Sequence, residues 1–455
     1  MSHEPRCIRQ YGSVPIPRVR LVVLNYNGGD LVVRCIEHLE RLDWPQDRLE
    51  IVVVDNASAD GSDVALARRP RVRLIRSERN AGFPANNLAM RDLDRVDYVG
   101  LVNNDAFAEP DYLKPLVAAL ADDPALGAAC PKILLAPRFV DLKLGVPTHR
   151  VPGDDRDLGL KLSGLEVGGA DRTKDAGFAE GWYPPEPGGD GRWYRWSGAE
   201  ALVRVPVDDG TATARLRLAS GRPVVAWFEA GADKLPVGVD EQPRWTEVPL
   251  AGPRYDVVNN VGSVLVGGGW GGDRGFLEPD IGQYDEPQDV FAWCGAGVLF
   301  PVPYLQDVGL FDDRFFMYYE DTDMAWRGRA RGWRYRYVPD AVLRHVHAAT
   351  SVEGSPLFHH FVERNRLVML TKNAPSRMAA GAAARFLVST ASYARRDVVR
   401  PLLHGRRPSP SLVRARLRSF GGFVRLLPEV LPDRRRLRAA QRVHDEAITG
   451  WAVDR

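Results

Sequence analysis

Through the first third of the chain, short β-branched runs alternate with stretches of helical spacing. Val19–Leu24, Leu49–Asp55, Val72–Arg76, Tyr98–Asn103 and Gly127–Leu134 read as strands. Between them, Leu31–Leu42, Ser62–Arg68, Pro84–Leu93 and Tyr112–Ala121 read as helices, several opened by Asp, Gly or Pro. This alternation predicts βαβ units around a mostly parallel sheet. In open α/β sheets ligands lie beyond the carboxyl ends of the strands, and polar residues gather there: Asn25-Tyr26-Asn27, Asp55-Asn56 and Asn103-Asn104-Asp105.

The pattern changes after Pro137. As far as Asp256 the chain is rich in Gly, Pro, Asp and Trp, with short alternating runs at Glu200–Val207, Ala214–Leu218 and Pro223–Phe228. That spacing predicts an inserted β-sandwich or barrel. Helical and α/β texture returns at Phe291–Phe300, Glu320–Arg331, Arg334–Pro339 and Ala341–His347, followed by an amphipathic helix at Leu357–Asn373. The expected division is 18–137 and 257–375 as two halves of one α/β domain, 138–256 as an all-β insert, and 376–455 as a helical tail broken at its prolines, among them Pro428 and Pro432.

Charge changes the picture more than bulk composition does. The net charge of +2 conceals 17 Arg against 6 acidic residues from Ser376 to Arg455, so the tail is near +11 and the rest near −9. The stretch Ser411–Leu427 is amphipathic and basic. It suits a solvated helical face or an anionic membrane surface, and no recognised nucleic-acid module accompanies it. Four widely spaced cysteines with no CxxC pair argue against a disulfide framework or a structural zinc site and fit a reducing compartment. The first 17 residues contain no apolar core segment, and Met378–Ala394 is too polar to span a bilayer; a cytoplasmic location, peripheral to the inner face of the plasma membrane, is the expectation.

Two clusters carry candidate chemistry. Asn103-Asn104-Asp105 follows an apolar run, and a strand end with one carboxylate and carbonyl-bearing neighbours suits a hard divalent cation; the same residues also suit a plain turn. Glu320, Asp321 and Asp323 open a helical stretch. They fit N-terminal capping, or a crowded pair in which like charge raises one carboxyl toward a working base.

Taken in order, VVLNYN at 22–27, VVDNASADG at 53–61, NAGFPANN at 80–87, LVNND at 101–105, FDDRFFMYYEDTDMAWR at 311–327 and VPDAVLRHVHAATS at 338–351 resemble family 2 glycosyltransferases of the GT-A fold. The similarity covers about 18–137 and 259–373 and is nearest to the rhamnosyl- and galactofuranosyltransferase branch. The resemblance implies an inverting transfer from a nucleotide-diphosphate sugar to a hydroxyl of a cell-wall or surface glycan, lipid-linked through polyprenyl diphosphate. It implies Tyr26, Asn27, Asp55, Asn80 and Asn104 at the nucleotide, Asp105 and His345 on a divalent cation (Mn2+ or Mg2+), and Asp321 as base with Glu320 beside it. Trp293, Cys294 and Gly295 fall where the family has a loop facing donor sugar and acceptor. Asn103 stands where the family's metal motif begins with Asp, and His347 competes with His345 as ligand.

Trp182, Tyr183, Trp193, Tyr194, Trp196, Trp227 and Trp245 in the insert fit either sugar stacking or a small aromatic core. Two other readings compete for the whole chain. A nucleotidyltransferase would need a basic residue in a Gly-rich loop, which NYNGGD at 25–30 lacks; a glycan-binding protein with an inactive transferase domain is the alternative from another class.

Overall fold

The computed structural model describes residues 16–453 except 152–153, 189–190, 209, 232–233 and 347–354. The chain divides into two compact units.

The first unit comprises 1–133, 260–274 and 284–455. Its elements are β1 (Val19–Asn25), α1 (Gly29–Glu40), β2 (Leu49–Asp55), α2 (Ser62–Ala67), β3 (Val72–Arg76), β4 (Tyr98–Asn103), β5 (Ala106–Ala108), α3 (Leu113–Asp122), β6 (Leu126–Leu135), β7 (Gly297–Pro301), α4 (Glu320–Arg331), β8 (Arg334–His345), α5 (Pro356–Asn373), α6 (Ser376–Ala394) and α7 (Ser411–Ala439). The sheet runs β8-β6-β7-β4-β1-β2-β3. Its β4-β1-β2-β3 half is parallel, whereas β7 is antiparallel to both β4 and β6. Leu21, Val22 and Val23 of β1 and Ile51 to Val54 of β2 are buried, as expected of central parallel strands covered on both faces. Each such aliphatic side chain contributes about 1.5–3 kcal/mol by leaving water.

The expected strands appear at nearly the expected residues, and α4 spans the run read as helical from the sequence. Acidic residues in its first turn, Arg329 and Arg331 in its last, and a left-handed Gly332 at its end explain both boundaries. Two expectations fail. The helix expected at Pro84–Leu93 is only a 3-10 turn, Phe83–Asn86, followed by Asn87–Met90. The tail is not broken at Pro428 or Pro432, because both lie within the continuous α7. The two prolines are four apart on an exposed face, so the carbonyls that lose a donor, those of Val424 and Pro428, also belong to exposed residues and reach water.

The second unit comprises 134–259 and 275–283 and is an antiparallel sandwich. One sheet is built on Arg138–Gly145, Glu200–Val207 and Val224–Glu229, the other on Leu160–Val167, Thr213–Ser220 and Arg244–Pro249. Its main core is aliphatic, with Leu142, Leu162, Val203, Leu216 and Val248 around the buried Phe228, and Phe139 is buried in a smaller cluster with Leu135 and Val257. Trp182 packs against the edge of this core, and Trp196, Trp227 and Trp245 are half-buried. Lys234 lies over Trp227, Arg215 over Trp245, Lys161 over Tyr194 and Arg156 over Tyr183, while Trp193 is 61% exposed.

Candidate active site

The parallel register sets Asn25 opposite Asp55 at the carboxyl ends of β1 and β2. The buried Asn25 amide donates to Asp55 Oδ1 at 2.9 Å, to Ser58 Oγ at 3.1 Å and to Ser62 Oγ at 2.9 Å. The Ser58 N–H donates to the other Asp55 oxygen at 3.2 Å. Asn27 adopts left-handed backbone (φ 50°); its Oδ1 accepts from the Ala59 N–H at 2.8 Å. Next to it, the Tyr26 ring is 41% exposed, so a rigid polar floor carries an open rim. A Cβ on Gly28 would come within 2.5 Å of Asn25 Oδ1 and 2.7 Å of Asn104 Nδ2, which is why the chain needs glycine there. Asn56 ties the floor to the next loop: its amide donates to Asn80 Oδ1 at 2.9 Å and to the Gly82 carbonyl at 3.2 Å.

A second set forms where β5 pairs antiparallel with the end of β8, with Ala106 opposite His345. Asp105 is thereby brought to a residue 240 positions away: His345 Nε2 lies 3.1 Å from Asp105 Oδ1, and the Val346 N–H donates to the Asp105 carbonyl at 3.0 Å. Asn103 Nδ2 is 3.4 Å from the same ring nitrogen. Two donors about 3 Å apart have the separation of adjacent ligands on an octahedral cation with bonds of about 2.1 Å, so the pair fits a divalent ion. Among the described residues no group of three His, Cys, Asp or Glu could hold one. Substrate oxygens and water would therefore complete the shell, as is usual for Mg2+ bound with phosphates. His347 lies outside the described residues.

The acid cluster divides in three. Asp323 is fully buried and bonded to Arg327 at 3.0 Å, Lys372 at 2.9 Å and Asn373 at 2.8 Å, so it holds α4 to α5. Glu320 is buried with no hydrogen-bond partner for Oε2. Burial, and then the Asp321 charge, push its carboxyl well above the usual range. Asp321 is pushed up to about 6 by burial; hydrogen bonds from the Thr322 N–H and hydroxyl oppose the rise, and Asp273 adds to it.

Sequence reasoning missed Asp273. It ends the strand Trp270–Asp273, where the Gly271 N–H donates to the Tyr319 hydroxyl at 3.3 Å and a Cβ on Gly271 would lie 3.3 Å from Thr322 Oγ1. Paired glycines leading to an acid were the available signal: they let a strand run close against the start of α4.

The 293–296 segment needs a correction. Trp293 is wholly buried, edge-on to Phe300 (4.8 Å) and Phe311 (5.9 Å), so its side chain is core and cannot face a sugar. Cys294 is half-buried; burial, and then Asp273 and Asp321, push its thiol up. A Cβ on Gly295 would come within 2.9 Å of the Phe83 ring, and the Asn103 N–H donates to the Ala296 carbonyl at 3.1 Å. This segment thus joins the end of β4, beside the Asp105–His345 pair, to the surroundings of Asp321.

Residues 21–140 match the model of glycosyl transferase family 2, and residues 250–395 match that of glycosyl transferase family group 2. Together they span more than half of the chain, and the gap between them falls within the sandwich unit. The chain belongs to glycosyltransferase family 2. Among curated relatives, this family 2 glycosyltransferase is 36% identical over 104 residues to the succinoglycan biosynthesis protein ExoO of Rhizobium meliloti (strain 1021), covering 22% of this chain and 29% of ExoO. It is 34% identical over 120 residues to chondroitin synthase of Escherichia coli, covering 25% of this chain and 17% of the synthase. The chain thus spans less than a third of either relative. Two solved structures align at low scores. One is GalNAc-T7 with UDP, GalNAc and Mn2+ (13% identity, 92% of this chain, 57% of that one, TM-score 0.44). The other is the Pyrobaculum calidifontis mannosyltransferase PcManGT with GDP-Man and Mn2+ (15%, 91% and 88%, TM-score 0.39). Scores this low leave the assignment to the sequence matches.

Proposed function

We propose that this family 2 glycosyltransferase moves a sugar from a nucleotide-diphosphate donor to an acceptor hydroxyl with inversion, in the synthesis of a cell-wall or surface polysaccharide. The observation that carries the reading is the 3.1 Å approach of Asp105 and His345 at the carboxyl edge of the sheet, beside the donor floor of Asn25 and Asp55. Asp105 and His345 would hold a divalent cation, whose positive charge would offset that of the departing diphosphate. Tyr26, Asn27, Asn80 and Asn104 border the nucleotide. Asp321 takes the proton from the acceptor hydroxyl, whose oxygen bonds to the anomeric carbon as the carbon–oxygen bond to the diphosphate breaks and its electron pair leaves with the nucleotide. With one base and no protein nucleophile, a single displacement inverts the anomeric centre. Glu320, short of partners, keeps its proton beside Asp321.

Transfer and donor hydrolysis, assayed with dTDP-rhamnose, UDP-galactofuranose, UDP-glucose and GDP-mannose with and without Mn2+ or Mg2+, test the proposal. Turnover should require the ion and the Asp321 carboxylate. Binding of a glycan together with no turnover of any donor would favour the alternative, a glycan-binding protein with an inactive transferase domain.

The acceptor we favour is linked to polyprenyl diphosphate at the inner face of the plasma membrane. No helix among the described residues is long and apolar enough to cross a bilayer. Within Ser411–Leu427, Ser419 and Phe423 face inward, while Leu412, Leu417 and Val424 stay exposed. The segment before it is open as well: Val399, Leu402 and Leu403 are exposed, Leu403 by 77%, among exposed Arg395, Arg400, Arg406 and Arg407. Asp397 is the one carboxylate between Arg377 and Pro428, and it is bonded to Arg396. Apolar tips ringed by arginine complement an anionic bilayer. For the sandwich unit, glycan contact would centre on Trp193, whose ring is open to solvent.

A further inference from the structure

We infer that Asn365 is a positioning residue for the transfer: by holding three carbonyls of the turn 315–319 it fixes where α4 begins and therefore where the Asp321 carboxylate stands. This rests on Asp321 being the base. Asn365 belongs to none of the motifs that carry the family resemblance, and it lies 44 positions beyond Asp321 on another helix.

The turn is unusual. Phe316, Tyr318 and Tyr319 all have left-handed backbone (φ 64°, 66° and 70°), a conformation that bulky side chains adopt only when neighbours impose it. Tyr319 is the cap residue of α4, so the last left-handed step sets the direction in which Glu320 and Asp321 leave the turn. What imposes it is a set of donors aimed at successive carbonyls. Asn365 is fully buried on α5, and its Nδ2 lies 2.8 Å from each of the carbonyl oxygens of Phe315, Met317 and Tyr318. The carbonyl between them, Phe316, accepts the Phe83 N–H at 2.6 Å, from the loop that carries Asn80. Arg364 fixes the sense of the amide: its Nε donates to Asn365 Oδ1 at 2.8 Å, which leaves Nδ2 for the turn, and its Nη2 reaches the Arg314 carbonyl at 2.7 Å and that of Phe315 at 3.1 Å. Every carbonyl from 314 to 318 is therefore held from outside the turn.

The arrangement has a selective consequence. Asn25 and Asp55 bond to each other and to Ser58 and Ser62, and the Asn80 loop is joined to the turn by the Phe83 N–H and not by Asn365, so loosening the turn displaces the base more than it disturbs donor binding. Asp321 would also leave its present surroundings: Glu320 and Asp323 on its own helix, Asp273 on the neighbouring strand, the Cys294 thiol, and Tyr319 with Arg366 and Glu363 behind it.

The test is Asn365→Asp, nearly isosteric but without the N–H donors, compared with the unmodified full chain. The expected result is a fall in kcat of about 10- to 100-fold with the donor KM changed by less than about threefold. The acid limb of kcat against pH should move below its normal position as water reaches Asp321. Arg364→Ala, which releases the amide without placing a carboxylate beside the carbonyls, should shift both readouts the same way by less, and it carries the test if Asn365→Asp is not recovered folded. A folded variant with kcat within about twofold of normal overturns the inference. So does a loss that follows the folded fraction while the acid limb stays in place. Asp321→Asn, assayed alongside, separates the two ideas: near-normal turnover there removes the base, whereas an inactive Asp321→Asn beside a normal Asn365→Asp removes only the positioning role.

Discussion

The two polar regions of the first unit are built on opposite terms. At the ends of β1 and β2, the Asn25 amide nitrogen donates to Asp55, Ser58 and Ser62, the most distant of them 37 residues along the chain, although Asn25 Oδ1 is left without a partner among the described residues. At the start of α4, Glu320 has an oxygen with no partner, Asp321 sits beside it, and Asp273 approaches from another strand. A binding floor gains from satisfied hydrogen bonds because they keep it rigid before the ligand arrives, whereas a base gains from crowding because an unfavourable carboxylate takes up a proton near neutral pH.

The largest effect should come from the crowded region. Asp321→Asn is expected to lower kcat by roughly 10²–10⁴-fold and leave donor binding, read by thermal shift, nearly unchanged. If donor affinity collapses as well, the two regions are not separable in the way described. Next, Asp105→Ala or His345→Ala should lower kcat/KM by about two orders of magnitude at fixed Mn2+, with part of the loss recovered at higher ion concentration; a loss insensitive to Mn2+ would move the ion elsewhere.

The pH dependence sharpens the contrast. Asp321 must be ionised to accept a proton, so kcat should rise with pH through about 6 and level off above it. A flat profile from pH 5 to 8 would remove the crowding argument. Smallest is a gain in stability. The Glu320 carboxyl is raised in the folded chain, so its protonated form imposes no cost below the unfolded value near 4.3, and the cost appears as pH rises above that. Glu320→Gln should then raise the melting temperature by a few degrees at pH 8 and leave it unchanged at pH 4. No gain at pH 8 would mean that the unpartnered oxygen is solvated.

The sequence disclosed most of the sheet. β-branched runs closed by polar residues located β2, β3 and β4, and the acids and arginines at either end of α4 located that helix. The same local reasoning misplaced Trp293, because an aromatic beside Cys-Gly looks the same in a binding loop and in a core until the rings of Phe300 and Phe311 are found around it. It broke the tail at prolines that α7 tolerates on its wet face, it passed over the paired glycines before Asp273, and it had no means of finding Asn365, whose partners lie some fifty residues away along the chain.

Local sequence, then, determined which segments become strands and helices and which polar residues end them, since those choices depend on neighbours one to four positions apart. Only the tertiary structure decided that Asp105 meets His345, that Asp323 is a structural ion pair while Asp321 beside it is not, and that the turn before α4 is held left-handed from another helix. Those outcomes depend on strand register and on which buried groups find partners, and both are fixed by contacts between segments that the chain keeps far apart.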